Sequence, residues 1–164
     1  GRYEDAVEEA LATTELFPAE LGALLGAHEL FDSMGLEDES RSIFNAINTA
    51  AAAVPTKERT ASDYVDLGKA ALVLGADPAS VLEKYYGVAK RTEARGENVP
   101  DGLLEAYLAS GELALEKDDF GRAGKEFQEA YRLVPNHPEV LFGLARSFMP
   151  SDRQVATGYL KRVI

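Results

Sequence analysis

Apolar residues recur at three- and four-residue intervals along most of the chain. Leu24, Ala27, Phe31 and Met34 keep this spacing, as do Ile43, Phe44, Ile47 and Ala51, and then Tyr64, Leu67, Ala71 and Leu74. Such a period marks helices with one buried face. No period-two alternation bounded by hairpin turns occurs, so the pattern calls for no strands. The seven prolines fall where helices start or stop. Pro18, Pro55, Pro135 and Pro150 follow amphipathic stretches, whereas Pro78, Pro100 and Pro138 lie at or near a first helical position, where a missing N–H costs nothing. Asp77 and Asp118 are expected N-caps, and Thr60 with Asp63 and Ser151 with Gln154 have capping-box spacing. Gly35 and Gly75 are expected to end helices. These signals predict about nine helices, near 2–16, 19–34, 37–53, 61–74, 78–96, 100–117, 119–133, 138–149 and 152–164. Their short connections make neighbours antiparallel.

Similar features recur from hairpin to hairpin. A large residue early in the first helix appears at Leu24, Tyr64, Tyr107 and Leu141, at intervals of 40, 43 and 34 residues. In the second helix the large residue is Phe44, Tyr85, Phe127 and Leu160, followed three residues on by Ile47, Val88, Ala130 and Val163. The segment 104–136 carries Tyr107, Ser110-Gly111, Phe120, Ala123, Phe127, Ala130 and Pro135.

On these residues the chain resembles the tetratricopeptide repeat (TPR) family, whose unit is a 34-residue helix–turn–helix. Tyr107, Gly111, Ala123, Phe127 and Pro135 match its pattern, as do Tyr64, Leu67-Gly68 and Gly75. His28 stands where the family prefers glycine or alanine, and Ser110 replaces the usual leucine. The resemblance implies an all-α fold, an α-solenoid of antiparallel helical hairpins wound into a right-handed superhelix. One segment is expected over 1–164, made of a part repeat at 1–18, repeats at about 19–54, 61–97 and 103–136, and a last, truncated repeat at 138–164. Stability should come from interfaces between neighbouring hairpins, with Gly68, Gly111, Ala123 and Ala145 allowing close approach and Phe44, Tyr85 and Phe127 filling the space between. The last helix carries Val155, Ala156, Tyr159, Leu160 and Val163 at helical spacing. It is expected to pack on a further helix beyond Ile164 or to support self-association.

Composition narrows the function. Apolar residues make up 46% and charged residues 27%, enough for a continuous core. There is no cysteine, which removes disulfides, thiol catalysis and thiolate metal sites; the compartment, cytoplasmic or periplasmic, stays open. The net charge of −11 is uneven, because residues 1–50 hold eleven acidic and two basic side chains. An acidic surface repels phosphate backbones and argues against nucleic acid, while a basic or amphipathic partner could be steered to the N-terminal third. No apolar run is long enough to span a membrane.

Candidate chemistry is sparse. His28-Glu29 opens like a zinc motif, but Asp32 stands where the second histidine is needed, so His28 reads as a packing residue. His137 sits in an Asn-His-Pro connector and reads as a turn or cap residue. Glu37-Asp38-Glu39 and Asp118-Asp119 open helices, where the macrodipole favours them. No phosphate loop, nucleophile elbow or calcium loop is present. Neither an enzyme activity nor a cofactor or metal is expected.

In the family the first helix of each hairpin lines a concave groove. The resemblance places there Leu25, Glu29 and Asp32; Val65, Lys69 and Leu72; Leu108, Glu112 and Leu115; and Phe142, Arg146 and Met149. An apolar stripe with mixed charge suits an amphipathic helix or an extended apolar peptide. The competing reading buries Leu25, Val65, Leu108 and Phe142 against neighbouring helices. The expected function is a protein–protein interaction scaffold. The alternative is a non-catalytic docking or regulatory segment of a larger multidomain enzyme.

Overall fold

Prolines and caps govern where the helices begin and end. The computed structural model describes residues 2–57, 59–92 and 101–163. Within them lie nine helices and no strand. These are α1 (Arg2–Leu16), α2 (Leu21–Ser33), α3 (Glu37–Ala53) and α4 (Ala61–Val73). Next comes α5, built from Pro78–Val81, a π-helical stretch Leu82–Tyr86 and Gly87–Thr92. Then follow α6 (Asp101–Glu116), α7 (Phe120–Leu133), α8 (Pro138–Phe148) and α9 (Arg153–Val163). The expected ends hold to within two residues wherever they can be compared. The expected continuation of α5 to residue 96, the helix start at Pro100 and the terminal Ile164 lie outside the described residues.

The local chemistry explains these ends. Thr60 and Asp63 form the expected reciprocal box. The Asp63 N–H donates to Thr60 Oγ1 at 3.1 Å, and the Thr60 N–H donates to Asp63 Oδ2 at 2.8 Å. Gly35 and Gly75 have φ of 69° and 87°. Each closes its helix with two backbone bonds, Leu36 N–H to the Phe31 carbonyl and Gly35 N–H to that of Asp32, and likewise Ala76 to Ala71 and Gly75 to Leu72. This is the Schellman arrangement.

Two expected caps are corrected. Asp118 is not the N-cap of α7. It occupies the left-handed position that closes α6, at φ 56°, where Asp119 N–H reaches the Ala114 carbonyl and Asp118 N–H that of Leu115. The cap of α7 is Asp119, whose carboxylate accepts from the Arg122 N–H at 3.0 Å. Likewise Asp152, not Ser151, caps α9, accepting from the N–H groups of Gln154 and Val155 at 3.0 Å each. A side chain at positive φ is strained by roughly 1–2 kcal/mol and glycine is not, while glycine adds about 0.4–1 kcal/mol of freedom to the unfolded chain. Asp118→Gly is therefore expected to stabilise the chain by a net of about 0.5–1 kcal/mol. Urea unfolding measures it, and a loss of stability would refute this reading of the α6 end.

Backbone proximity divides the chain into two compact units, residues 1–59 with 66–77, and residues 60–65 with 78–164. In the first, α2 packs against both α1 and α3. Its buried side chains include Leu24 and Phe31 on α2 and Ile43, Ile47 and Ala50 on α3. Phe44, expected between hairpins, is instead 37% exposed. The inward stripe of α3 runs 43, 47, 50, and Phe44 lies one step around the helix from it.

In the second unit consecutive helices from α5 to α9 pack on one another, and α6 also reaches α8. Helix-to-next-but-one contact is what stacking of hairpins requires. Phe127 of α7 is fully buried at the centre. Its ring lies where side chains would stand on Gly111 of α6 and Gly143 of α8. A Cβ on Gly111 would meet Phe127 Cζ at 2.6 Å, and one on Gly143 would come closer still. Ala114, Leu115, Ala123, Ala130, Val140 and Leu144 complete this core. Ser110, which departs from the family's leucine, is fully buried and donates its hydroxyl to the Ala106 carbonyl at 2.7 Å, so the buried hydroxyl is satisfied.

The other expected spacer, Tyr85, is only half-buried, and Tyr86 takes the core position with 1% exposure. The cause is the π-helical turn, in which Gly87 N–H bonds to the Leu82 carbonyl five residues back. One extra residue in a turn moves the inward stripe from Val81 to Tyr86 rather than Tyr85. At the other end of the unit, Arg162 ties α9 to the close of α7. It donates to Tyr131 Oη at 2.9 Å, the Asn136 side chain at 3.0 Å and the Pro135 carbonyl at 3.3 Å.

Candidate binding surface

The twelve expected groove residues divide by burial. On α2, Leu25 is buried at 7% while Glu29 and Asp32 are exposed. On α4, Val65 is fully buried, Lys69 exposed and Leu72 half-buried. On α6, Leu108 and Glu112 are half-buried and Leu115 is buried within the Phe127 core. On α8, Phe142 is 49% and Met149 41% exposed, with Arg146 exposed between them. Leu25, Val65 and Leu115 are therefore packing residues. First helices of stacked hairpins touch neighbours on two sides, so their apolar sector is wide and part of it turns inward.

Among these residues, one group is brought together by charge and ring contacts. Glu112 of α6 and Arg146 of α8 form an ion pair at 2.6 Å, and the Arg146 guanidinium lies 5.7 Å from the centre of the Phe142 ring. Both charged partners are more than 40% exposed, so the pair adds at most about 1 kcal/mol to stability. Its effect is geometric. It holds the guanidinium beside an aromatic face that is not itself buried. Leu108 and Glu112 are one turn apart on α6, and Phe142, Arg146 and Met149 share a stripe on α8 at spacing four and three. The result is a surface of an aromatic ring, a thioether and a fixed charge pair. The sequence held a signal for the pair, since Glu112 and Arg146 are opposite charges one 34-residue period apart.

A second ion pair joins Lys90 of α5 to Glu126 of α7 at 2.6 Å, with both side chains under 20% exposed. The Lys90 ammonium also lies 4.8 Å from the Tyr107 ring centre on α6. Burial lowers the Lys90 pKa, and the hydrogen bond to Glu126 opposes that shift. Burial likewise raises the Tyr107 pKa. The trio links three successive helices and is enclosed rather than presented. His28, Glu29 and Asp32 form no metal-binding group, and no cluster of three or more such ligands occurs among the described residues. No helix among them is long and apolar enough to cross a membrane.

Comparison with solved structures identifies the class of fold. TTC0263, a thermophilic TPR protein of Thermus thermophilus, superposes with a TM-score of 0.62 at 20% identity, covering 99% of this chain and 82% of that one. YrrB, described as a TPR protein with an unusual peptide-binding site, gives 0.51 at 16% identity over 99% and 77%. MamA gives 0.54 at 13% identity over 98% and 86%. The chain thus has the TPR-type helical-repeat fold that the family resemblance implied. No protein-family model and no curated protein matches its sequence.

Proposed function

We propose that the chain is a non-catalytic protein-interaction scaffold that binds a peptide or helix across the α6/α8 face. The observation that carries this reading is Phe142. A large aromatic is half exposed on a helix whose other apolar side chains are mostly buried, and Arg146, itself held by Glu112, stands against it. Aromatic residues, methionine and arginine are enriched at protein interfaces, and a few such anchors carry most of the binding energy. Met149 adds an adaptable apolar contact at the end of the same stripe. YrrB supplies a precedent for peptide binding on this fold. The groove would be built from repeats at about 103–136 and 138–164, with Leu108 at its floor, and α9 would offer Val155 and Val163 for self-association.

The test is selection from a displayed peptide library on the wild-type chain, followed by affinity measurement on variants. Selected peptides should lose about tenfold or more in affinity for Phe142→Asp and keep it for Lys125→Glu, an exposed change on α7 away from this face. Equal binding to wild type and Phe142→Asp would rule out the α6/α8 face.

A further inference from the structure

The first unit carries a separate groove of about 620 Å³, between one face of α1 and the α2–α3 turn. Its apolar floor is Val7, Leu11 and Ala12 of α1 with Met34 and Leu36 of the turn. Its other lining residues among those described are all glutamates, Glu4, Glu8, Glu15 and Glu39, with no basic side chain. Glu8, Glu15 and Glu39 form no side-chain ion pair or hydrogen bond among the described residues. The nearby cation Arg41 is taken up by Glu37 and Asp38, at 3.9 and 3.6 Å. The surrounding sequence sharpens the field, because residues 1–50 hold eleven acidic side chains against two basic ones.

We infer that this groove is a docking site for a basic amphipathic helix of a partner protein, with its apolar stripe on Leu11 and Met34 and its lysines or arginines between the glutamates. The occupant follows from complementarity. The floor offers apolar area that water covers poorly, and Leu11 at its centre is 39% exposed. A neutral apolar ligand would leave three carboxylates unpaired at its edge, and an acidic one would be repelled, whereas a basic flank pairs them. The lining positions on α1 run from Glu4 to Glu15, a helical length of roughly 16 Å. About three turns of a partner helix match it. The site is independent of the α6/α8 face and stands or falls without it.

The test uses a fluorescent synthetic helix of about fourteen residues with leucines at helical spacing and lysines on both flanks, titrated by anisotropy against the full chain. Wild type should bind it, more weakly as salt rises, and should not bind the same peptide with glutamates in place of lysines. The triple variant Glu8→Gln, Glu15→Gln, Glu39→Gln should weaken binding about tenfold or more. A control with the same charge change outside the groove, Asp5→Asn, Glu9→Gln, Glu29→Gln, should change it less than about twofold. Leu11→Asp should weaken it as the triple variant does, and Phe142→Asp should leave it unchanged. Equal loss in both triple variants would mean diffuse charge attraction and overturn the inference. So would absence of binding to wild type, indifference to Leu11→Asp, or loss in Phe142→Asp, which would put the peptide on the α6/α8 face.

Discussion

Phe127→Ala is expected to cost about 3–5 kcal/mol, the range for truncating a buried aromatic. The ring is fully buried and fills the gap between α6 and α8, which approach it through Gly111 and Gly143. Its removal leaves a void that rigid helix backbones cannot close, and close packing makes such voids expensive. A typical domain has only about 5–15 kcal/mol in total, so the second unit should be close to its unfolding threshold. The complementary change fills the same space from the other side. Gly143→Ala places a methyl into the ring and should cost about 1–3 kcal/mol by overpacking. Because the two changes share one volume, Gly143→Ala combined with Phe127→Leu should be less destabilised than the sum of the single variants. Guanidinium unfolding followed by circular dichroism measures all four. A loss below about 1 kcal/mol for Phe127→Ala would mean that the ring does not join the helices.

Val65→Asp and Phe142→Asp should behave as opposites, although both positions belong to the same sequence-derived groove set. Val65 is fully buried, and an unpaired carboxylate there costs several kcal/mol or takes up a proton. Val65→Asp should therefore unfold the second unit or destabilise it by about 3 kcal/mol or more at neutral pH. The sign of the pH effect follows. A folded-state pKa raised above its unfolded value means that the folded protein binds more protons, so part of the loss should be recovered as pH falls toward the unfolded value. Phe142 is half exposed, and its aspartate variant should stay within about 1 kcal/mol of wild type. Thermal melts at neutral and mildly acid pH decide the matter. A Val65→Asp variant as stable as wild type would show that α4 does not bury this face.

The helices were legible because their ends are set by local chemistry that the sequence states outright. Thr60 with Asp63, Gly35 and Gly75 act within a few residues of themselves, so their role needs no tertiary information. What was not legible depends on phase and on neighbours. Tyr85 loses its core place to Tyr86 because a π-helical turn inserts one residue into the period, and a fixed 3.6-residue repeat cannot register that. Phe44 is more hydrophobic than Ala50, yet Ala50 is inside, because the direction of α3 and not side-chain size decides which stripe faces α2. Gly102 and Gly143 carry no local mark. A Cβ on Gly102 would meet the Ser62 N atom at 2.7 Å, a contact between chain segments forty residues apart. The proposed face is half legible in the sequence. The family resemblance points to its positions on α6 and α8, but it brings Leu25, Val65 and Leu115 with them, since repeat position alone does not distinguish an apolar side chain that floors a groove from one that packs a core.

If partners engage this chain through the α6/α8 face, a bound peptide must change the surroundings of the side chains that line it. Backbone-amide and methyl chemical shifts of the labelled chain, followed as a library-selected peptide is added, read those surroundings residue by residue. The largest shifts should cluster at Leu108, Glu112, Phe142, Arg146 and Met149, with Val65 and Leu25 little moved. Saturating binding that leaves Phe142, Arg146 and Met149 unperturbed would place the partner elsewhere on the chain and refute the proposed face.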